Sequence, residues 1–390
     1  MKQKMEKISI LSLSLILIST YSVSAALPAM QEYYTGYSRA AVEQLVSITS
    51  FAMVIVIILN TWLTKFLSQR FCIILGIILL TAGGSAPMVI QNYGFVLSSR
   101  ILLGVGIGLV NTHAINLINE RYEGEERAAL LGYRSAAEVL GNAVLTLIAG
   151  WLLGFGWSKA FAVYLAGLLI LVLYLGFVPK QRETAAGASQ KESVRMADVK
   201  KYAGFLCGTL ALGFLVICIN SCVTMRIPAM VLEREIGTEA QSSIVLSLMM
   251  VMGIAAGIGF GRLVQIFGNK LMGICLLVQG IGLVIISGSD SMAVMAAGAM
   301  ISGLVSNLLS TIVFHRVSEA LPGGVMRIGT TCGLVGCNLG AFASPYFMKL
   351  VAIADERSHA PLVVLAVLTV VLSLILLAGR KQKRKESRDE

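Results

Sequence analysis

With 390 residues, 56% of them hydrophobic and only 13% charged, the chain holds far more apolar length than a water-soluble core of its size can bury. Its net charge of +10 invites a nucleic-acid reading, which the placement of the bases excludes below. The seven cysteines, at 72, 207, 218, 222, 275, 332 and 337, lie in or at the ends of apolar runs with no histidines at ligand spacing. Neither a metal site nor a disulfide framework emerges, and they read as small packing residues.

A helix crosses a bilayer in ~20 predominantly apolar residues. In chain order, twelve such segments are predicted: 8–28, 41–63, 71–90, 95–117, 128–153, 159–178, 203–225, 241–260, 271–288, 292–313, 328–350 and 360–379. Lys2, Lys4 and Lys7 ahead of the first segment, with Ser22-Val23-Ser24-Ala25-Ala26 at its end, imitate a secretory signal. We read the run as an uncleaved first helix.

Between the second and third segments lies Thr61-Trp62-Leu63-Thr64-Lys65-Phe66-Leu67-Ser68-Gln69-Arg70. A matching break, Gly261-Arg262-Leu263-Val264-Gln265-Ile266-Phe267-Gly268-Asn269-Lys270, separates the eighth from the ninth, with Leu, a small residue and a terminal base at the same offsets and Phe one place apart. The chain therefore reads as one membrane unit written twice, a bundle over 1–179 and a bundle over 202–380. A polar linker over 180–201 joins them, without apolar periodicity and rich in Lys, Arg, Glu, Ser, Gly and Ala, and a basic tail follows at 381–390.

The fourth segment carries Arg100 followed by Gly104, Gly106 and Gly108. An arginine inside an apolar helix costs roughly 2.5 kcal/mol or more unless it faces water, a partner or the headgroups. Either it serves a polar interior or it snorkels to the nearby end. Asn111, eleven residues on, returns to nearly the same helical face; His113, Asn116 and Asn119 follow, with His113 reading as a packing or interfacial residue. The fifth segment has the strongest polar stripe, Arg134, Glu138 and Asn142, spaced four apart and so stacked on one face. Glu138 is ten residues in, about 15 Å deep and near the midplane of the bilayer. A carboxylate there needs a wet cavity or a cation, which makes Glu138 the leading candidate for proton coupling or for binding a substrate cation. A purely structural Arg134/Glu138 pair is the alternative.

Glycines recur four apart, at 253, 257 and 261 in the eighth segment and at 329, 333 (with 336) and 340 in the eleventh, a spacing that lets helix backbones approach closely in lipid. Of the 31 Lys and Arg, most fall before the first segment, in alternate loops, in the linker and in the tail, whereas the other loops carry only Arg39, Lys159, Arg226, Arg234, Lys349 and Arg357. This is the positive-inside bias, so the charge orients the chain with both termini cytoplasmic and does not bind a polymer.

The two breaks resemble the loop between the second and third helices of each half of a major facilitator superfamily transporter, which runs Gly-x-Leu-x-Asp-x-x-Gly and then bases. Gly261, Leu263, Gly268 and Lys270 keep that pattern, with Gln265 in place of the acid; the first copy has Thr61 and Ser68 for the glycines and Lys65 for the acid. The family's cytoplasmic charge latch is thus incomplete in both. Arg100 with Gly104 and Gly106 is similar to a second family motif, tied there to proton coupling or substrate charge. Arg121 to Gly132 looks like the cytoplasmic turn before the fifth helix of many members. The Gly-Pro pair usual in the fifth helix of drug antiporters is missing: aligning Gly150 with the end of that pattern puts Leu145 and Thr146 in its place.

The resemblance implies an all-α membrane protein of twelve transmembrane helices in two six-helix bundles. It implies a secondary active transporter moving a small organic solute by alternating access, with protons as the expected coupling ion. The family's central cavity would take Tyr21, Ser24, Asn220, Thr224, Asn307 and Thr311 from the first, seventh and tenth helices, beside Glu43, Gln241 and Asn338. Arg100, Asn111, Arg134, Glu138, Asn142, Asn220 and Asn307 are the candidate substrate and proton-coupling residues; Lys65, Arg70, Gly261, Arg262, Gly268 and Lys270 are the candidate gating positions. A monomer in the plasma membrane is expected, with no cofactor, metal or nucleic acid. No nucleophile with a base, phosphate-cradling loop or metal-ligand spacing suggests an enzyme. A multidrug efflux antiporter and a non-transporting membrane sensor are the alternatives.

Overall fold

The computed structural model describes residues 2–17, 19–63, 66–179 and 196–389, and among them every regular element is helical. The first predicted segment is two short helices, α1 (Lys2–Ser12) and α2 (Leu27–Tyr33), joined through 3-10 turns and bent by 44°. Serine side chains explain the break: Ser12 Oγ donates to Ser9 O at 2.8 Å and Ser19 Oγ to Ile16 O at 2.6 Å, competing with the backbone for its own acceptors. Pro28 then sits in the first turn of α2, where its missing N–H does no harm.

The rest of the first half comprises α3 (Arg39–Leu63), α4 (Gln69–Ser85), α5 (Tyr93–Arg121), α6 (Gly124–Leu152), a 3-10 stretch over Trp157–Leu165 and α7 (Ala166–Phe177). The second half comprises α8 (Met196–Lys201), α9 (Ala203–Glu233), α10 (Glu239–Phe267), α11 (Leu271–Ser287), α12 (Met292–Ala320), α13 (Gly323–Ala352) and α14 (Ala360–Asp389). Side-chain oxygens start the long helices: Ser68 accepts from Phe71 N, Asn92 from Gly94 and Phe95 N, Ser291 from Val294 N, and Thr238 forms a capping box with Gln241. Nine helices among the described residues are long and apolar enough to cross a membrane, the bent first pair makes a tenth, and the other two predicted segments fall on the 17-residue α11 and the 30-residue α13.

Each half packs mainly upon itself, α5 between α3 and α4 in the first, α9 against α13 and α12 against α10 and α11 in the second. The halves meet along α6 with α10 and α3 with α13, and again where α2 and the turn before it touch α9 and α10. At one end, the terminal face, Glu6 pairs with Arg121, Lys7 pairs with Glu126, and Arg121 Nη2 donates to Pro179 O at 3.0 Å. The opposite end, the far face, carries α2 and the loop before α14.

Three boundaries differ from expectation. The seventh segment runs on to Glu233, so Arg226, counted above among loop bases, lies inside α9 and is buried. Helix α10 continues through Gly261 to Phe267, and the break is only the 3-10 turn Gly268–Lys270, opened by Gly268 at φ +47, a conformation glycine adopts without strain. Helix α14 continues through the expected tail to Asp389. Most of the expected linker, and Lys65, lie outside the described residues.

Candidate functional site in the central cavity

A cavity of about 190 Å³ lies between the halves, walled by the first segment, α6, α9, α10 and α12. Three amides converge on it: Asn142 from α6, Asn220 from α9 and Asn307 from α12, with Tyr21, Thr224, Ser306 and Ser310 beside them. All twelve lining residues are uncharged, and Val139, Ile217, Met249 and Met250 supply the apolar part of the wall.

The broken first helix positions this wall. Ser22 Oγ donates to Asn142 Oδ1 at 2.8 Å, and Ser221 Oγ donates to Tyr21 Oη at 2.9 Å, so the 3-10 region bonds to a helix of each half. Asn307 Nδ2 donates to Gly303 O at 3.3 Å, and its amide lies so close to Gly253 that a Cβ there would collide with it. Ser22, Met249, Met250, Ser306 and Ser310 were not legible as site residues, because isolated serines and methionines in apolar runs give no periodic signal.

The sequence stripe on the fifth segment resolves into two groups. Arg134 Nη2 reaches Glu138 Oε1 at 2.5 Å and Asn111 Oδ1 at 2.6 Å, tying α6 to α5. Both charged side chains keep slight exposure, 10% for Arg134 and 15% for Glu138. Asn142, one turn further, leaves this triad and faces the cavity.

Arg100 stands apart from both groups. It is fully buried and sits among oxygens of three other segments: Nη2 donates to Thr20 O at 2.8 Å, Nε to Leu45 O at 3.0 Å and Nη1 to Tyr164 Oη at 3.0 Å. Its guanidinium also lies over the rings of Phe161 and Tyr164. This contradicts a snorkelling arginine and departs from a cavity role: Arg100 pins Thr20 O of the broken first helix to Leu45 O of α3 and to the Tyr164 hydroxyl. Ser24, Thr311, Glu43, Gln241 and Asn338 are likewise absent from the cavity wall. Gln241 is committed to the capping box, Thr311 and Asn338 bond back to their own helices, and Glu43 lines a separate void near the far face.

Of the gating positions, Arg70 Nη1 donates to Val178 O at 2.8 Å and its guanidinium stacks on Tyr174, fastening α4 to the end of α7. Gly261, Arg262, Gly268 and Lys270 are exposed on the terminal side of α10 and α11.

The family model described as Major Facilitator Superfamily matches residues 10–345. No individual curated protein gives a significant match. Among solved structures, a peptide transporter POT in complex with sulfate is similar with a TM-score of 0.76 at 14% identity, covering 97% of this chain and 94% of that one. A point mutant of the nucleoside transporter NupG gives 0.75 at 10% identity, covering 96% and 98%. A D-xylose-proton symporter gives 0.71 at 15% identity, covering 95% and 96%.

Proposed function

Because this chain belongs to the Major Facilitator Superfamily, we propose that it is a secondary active transporter that carries a small uncharged organic solute by alternating access and couples it to protons. The observation that carries the substrate class is the cavity wall: amides and hydroxyls from both halves, and no charged lining residue. A zwitterion or an anion would lose its hydration there without gaining a counter-charge, whereas hydroxyl or amide groups exchange water for the three asparagines. Two fold relatives are named for uncharged solutes, a nucleoside transporter and a D-xylose-proton symporter. The paired methionines, soft and adaptable, favour the second reading, an exporter of amphipathic compounds.

Coupling is assigned to the Asn111, Arg134 and Glu138 triad, a partly wet carboxylate held by one arginine one turn from the cavity. The excess of Lys and Arg on the terminal side supports a reading in which both termini and the linker are cytoplasmic and the chain works as a monomer in the plasma membrane. Arg70, Arg262 and Lys270, with Lys65, would then act at the cytoplasmic gate, with Gly261 and Gly268 as its small positions.

The test is a ligand panel on purified protein, read by thermal shift and by solute-driven pH change in proteoliposomes. Pentoses, nucleosides and similar uncharged solutes should include a ligand that stabilises the fold and moves protons. Binding confined to dipeptides or phosphorylated solutes would refute the assignment.

A further inference from the structure

Near the far face, away from the central cavity, five side chains form a chain of contacts that crosses between the halves. Arg226 of α9 approaches Glu43 of α3 at 3.1 Å, Arg39 of α3 approaches the same Glu43 oxygen at 3.4 Å and Glu233 of α9 at 3.1 Å, and Ser358 donates to Glu233 at 2.5 Å. Glu43 is only 3% exposed, and its second oxygen, Oε2, is buried without a hydrogen-bond partner. Arg226 is equally committed: Nη1 is at ion-pair distance from Glu43 but not aligned as a hydrogen bond, and Nε has only the thioether of Met348, at 3.0 Å. One carboxylate therefore compensates a buried cation from the opposite half, and does so with half its acceptor capacity unused.

A void of about 280 Å³ reaches Glu43, lined also by Gln31, Glu32, Arg39 and Glu233. Glu32, Glu233 and Arg39 are exposed or half-exposed, so far-face water reaches a position from which it can deliver a proton to the buried carboxyl. We propose that Glu43 is a proton-binding lock: uptake of a proton from the far-face void dissolves its two ion pairs and lets the halves part at that end. The step is a simple protonation, one proton from water joining a carboxylate oxygen and no other bond changing. With Glu43 neutral, Arg226 is left buried without a counter-charge, a state that a closed interface cannot sustain but that an opened one relieves by hydration. The Arg39 bond to Glu233 remains as a weaker, exposed tie.

The titratable and charged groups around Glu43 are Arg39 on its own helix, Arg226, Glu233 and Cys222 on α9, and Glu32 on α2. Tyr93 of α5 donates to Ala41 O and Tyr346 of α13 accepts from Gln44, one residue along from Glu43. The carboxylates among these groups are Glu43, Glu32 and Glu233. The two others are distinguished from it by their exposure and by the lack of a contact with Arg226.

The inference rests on the alternating-access reading but needs neither the solute nor Glu138. Hydrogen exchange of the full chain in lipid nanodiscs, corrected for intrinsic rates, tests it without a ligand. Exchange across 27–45 and 226–236 should rise roughly tenfold between about pH 8 and about pH 5 in the native protein. Glu43→Gln should show the faster rate at both pH values, erasing the difference. A merely structural carboxylate would instead raise exchange equally at each pH and keep the difference, and that result would overturn the lock. Should Glu43→Gln fail to fold, Arg226→Met serves: loss of the pH difference is expected, and its persistence counts against the proposal. A chain that shows this pattern yet moves no solute would refute the transport reading while supporting the lock.

Discussion

Arg100 and Glu138 look alike in the sequence, each a charge inside an apolar helix, and the structure separates them by their partners. Arg100 satisfies two carbonyls and a phenol of other segments without a carboxylate. Replacing it with methionine strands the Thr20 carbonyl, at ~1–3 kcal/mol, and removes the ties to Leu45 and Tyr164. Arg100→Met should therefore lower the melting temperature sharply, and Arg100→Lys should not restore it, because one ammonium cannot reach three acceptors arranged for a planar fork. A variant that melts like the native protein would show that the first helix needs no such pin. Glu138→Gln predicts the opposite profile. Arg134 keeps Asn111 as an acceptor, so folding should survive while proton-coupled uptake is lost. Undiminished coupled uptake under an imposed pH gradient would remove Glu138 from coupling, and Arg134→Gln, which strands the carboxylate, should cost about 3–5 kcal/mol of stability.

At the scale of helices, glycine spacing predicts close packing at every stripe, and the structure grants it selectively. A Cβ on Gly336 would run into Leu210 O, and one on Gly340 into Phe214 O, so α13 and α9 touch through their backbones. By contrast, Gly257 and Gly261 face open space and only Gly253 of the eighth-segment stripe is packed, against the Asn307 side chain of α12. Gly336→Ala must push two backbones apart and should cost at least ~1–3 kcal/mol, whereas Gly257→Ala meets nothing and should gain up to ~1 kcal/mol in helix propensity. Thermal melts of the two purified variants check this contrast; equal melting would mean that α9 and α13 have room to spare. Spacing alone could not separate these cases, because the same four-residue interval points at a neighbour in one helix and away from it in another.

Across the whole molecule, the all-helical membrane architecture and family membership were legible because lipid demands long apolar runs and punctuates them with charge. The Arg134 and Glu138 pair was legible too, since both lie on one helix. What sequence could not give was contact between elements: that Arg226 is buried against Glu43, that Arg100 holds the first helix, and that Ser22 orients Asn142. The first depends on the halves meeting and the other two on segments packing within the first half, neither of which a local period encodes. The same layout yields a prediction about assembly. Each half forms its own helix pairs, α3 with α5 and α4 with α5 in one, α9 with α13 and α11 with α14 in the other, so a chain cut between them severs no helix. Co-expressed fragments 1–179 and 196–390 should therefore associate, because α6 with α10 and α3 with α13 supply an interface that neither fragment can bury alone. Tagging one fragment and recovering the other after detergent extraction measures this. If each fragment inserts but the two never co-purify, the continuous chain itself holds the halves together, and the cavity between them could not be the product of packing alone.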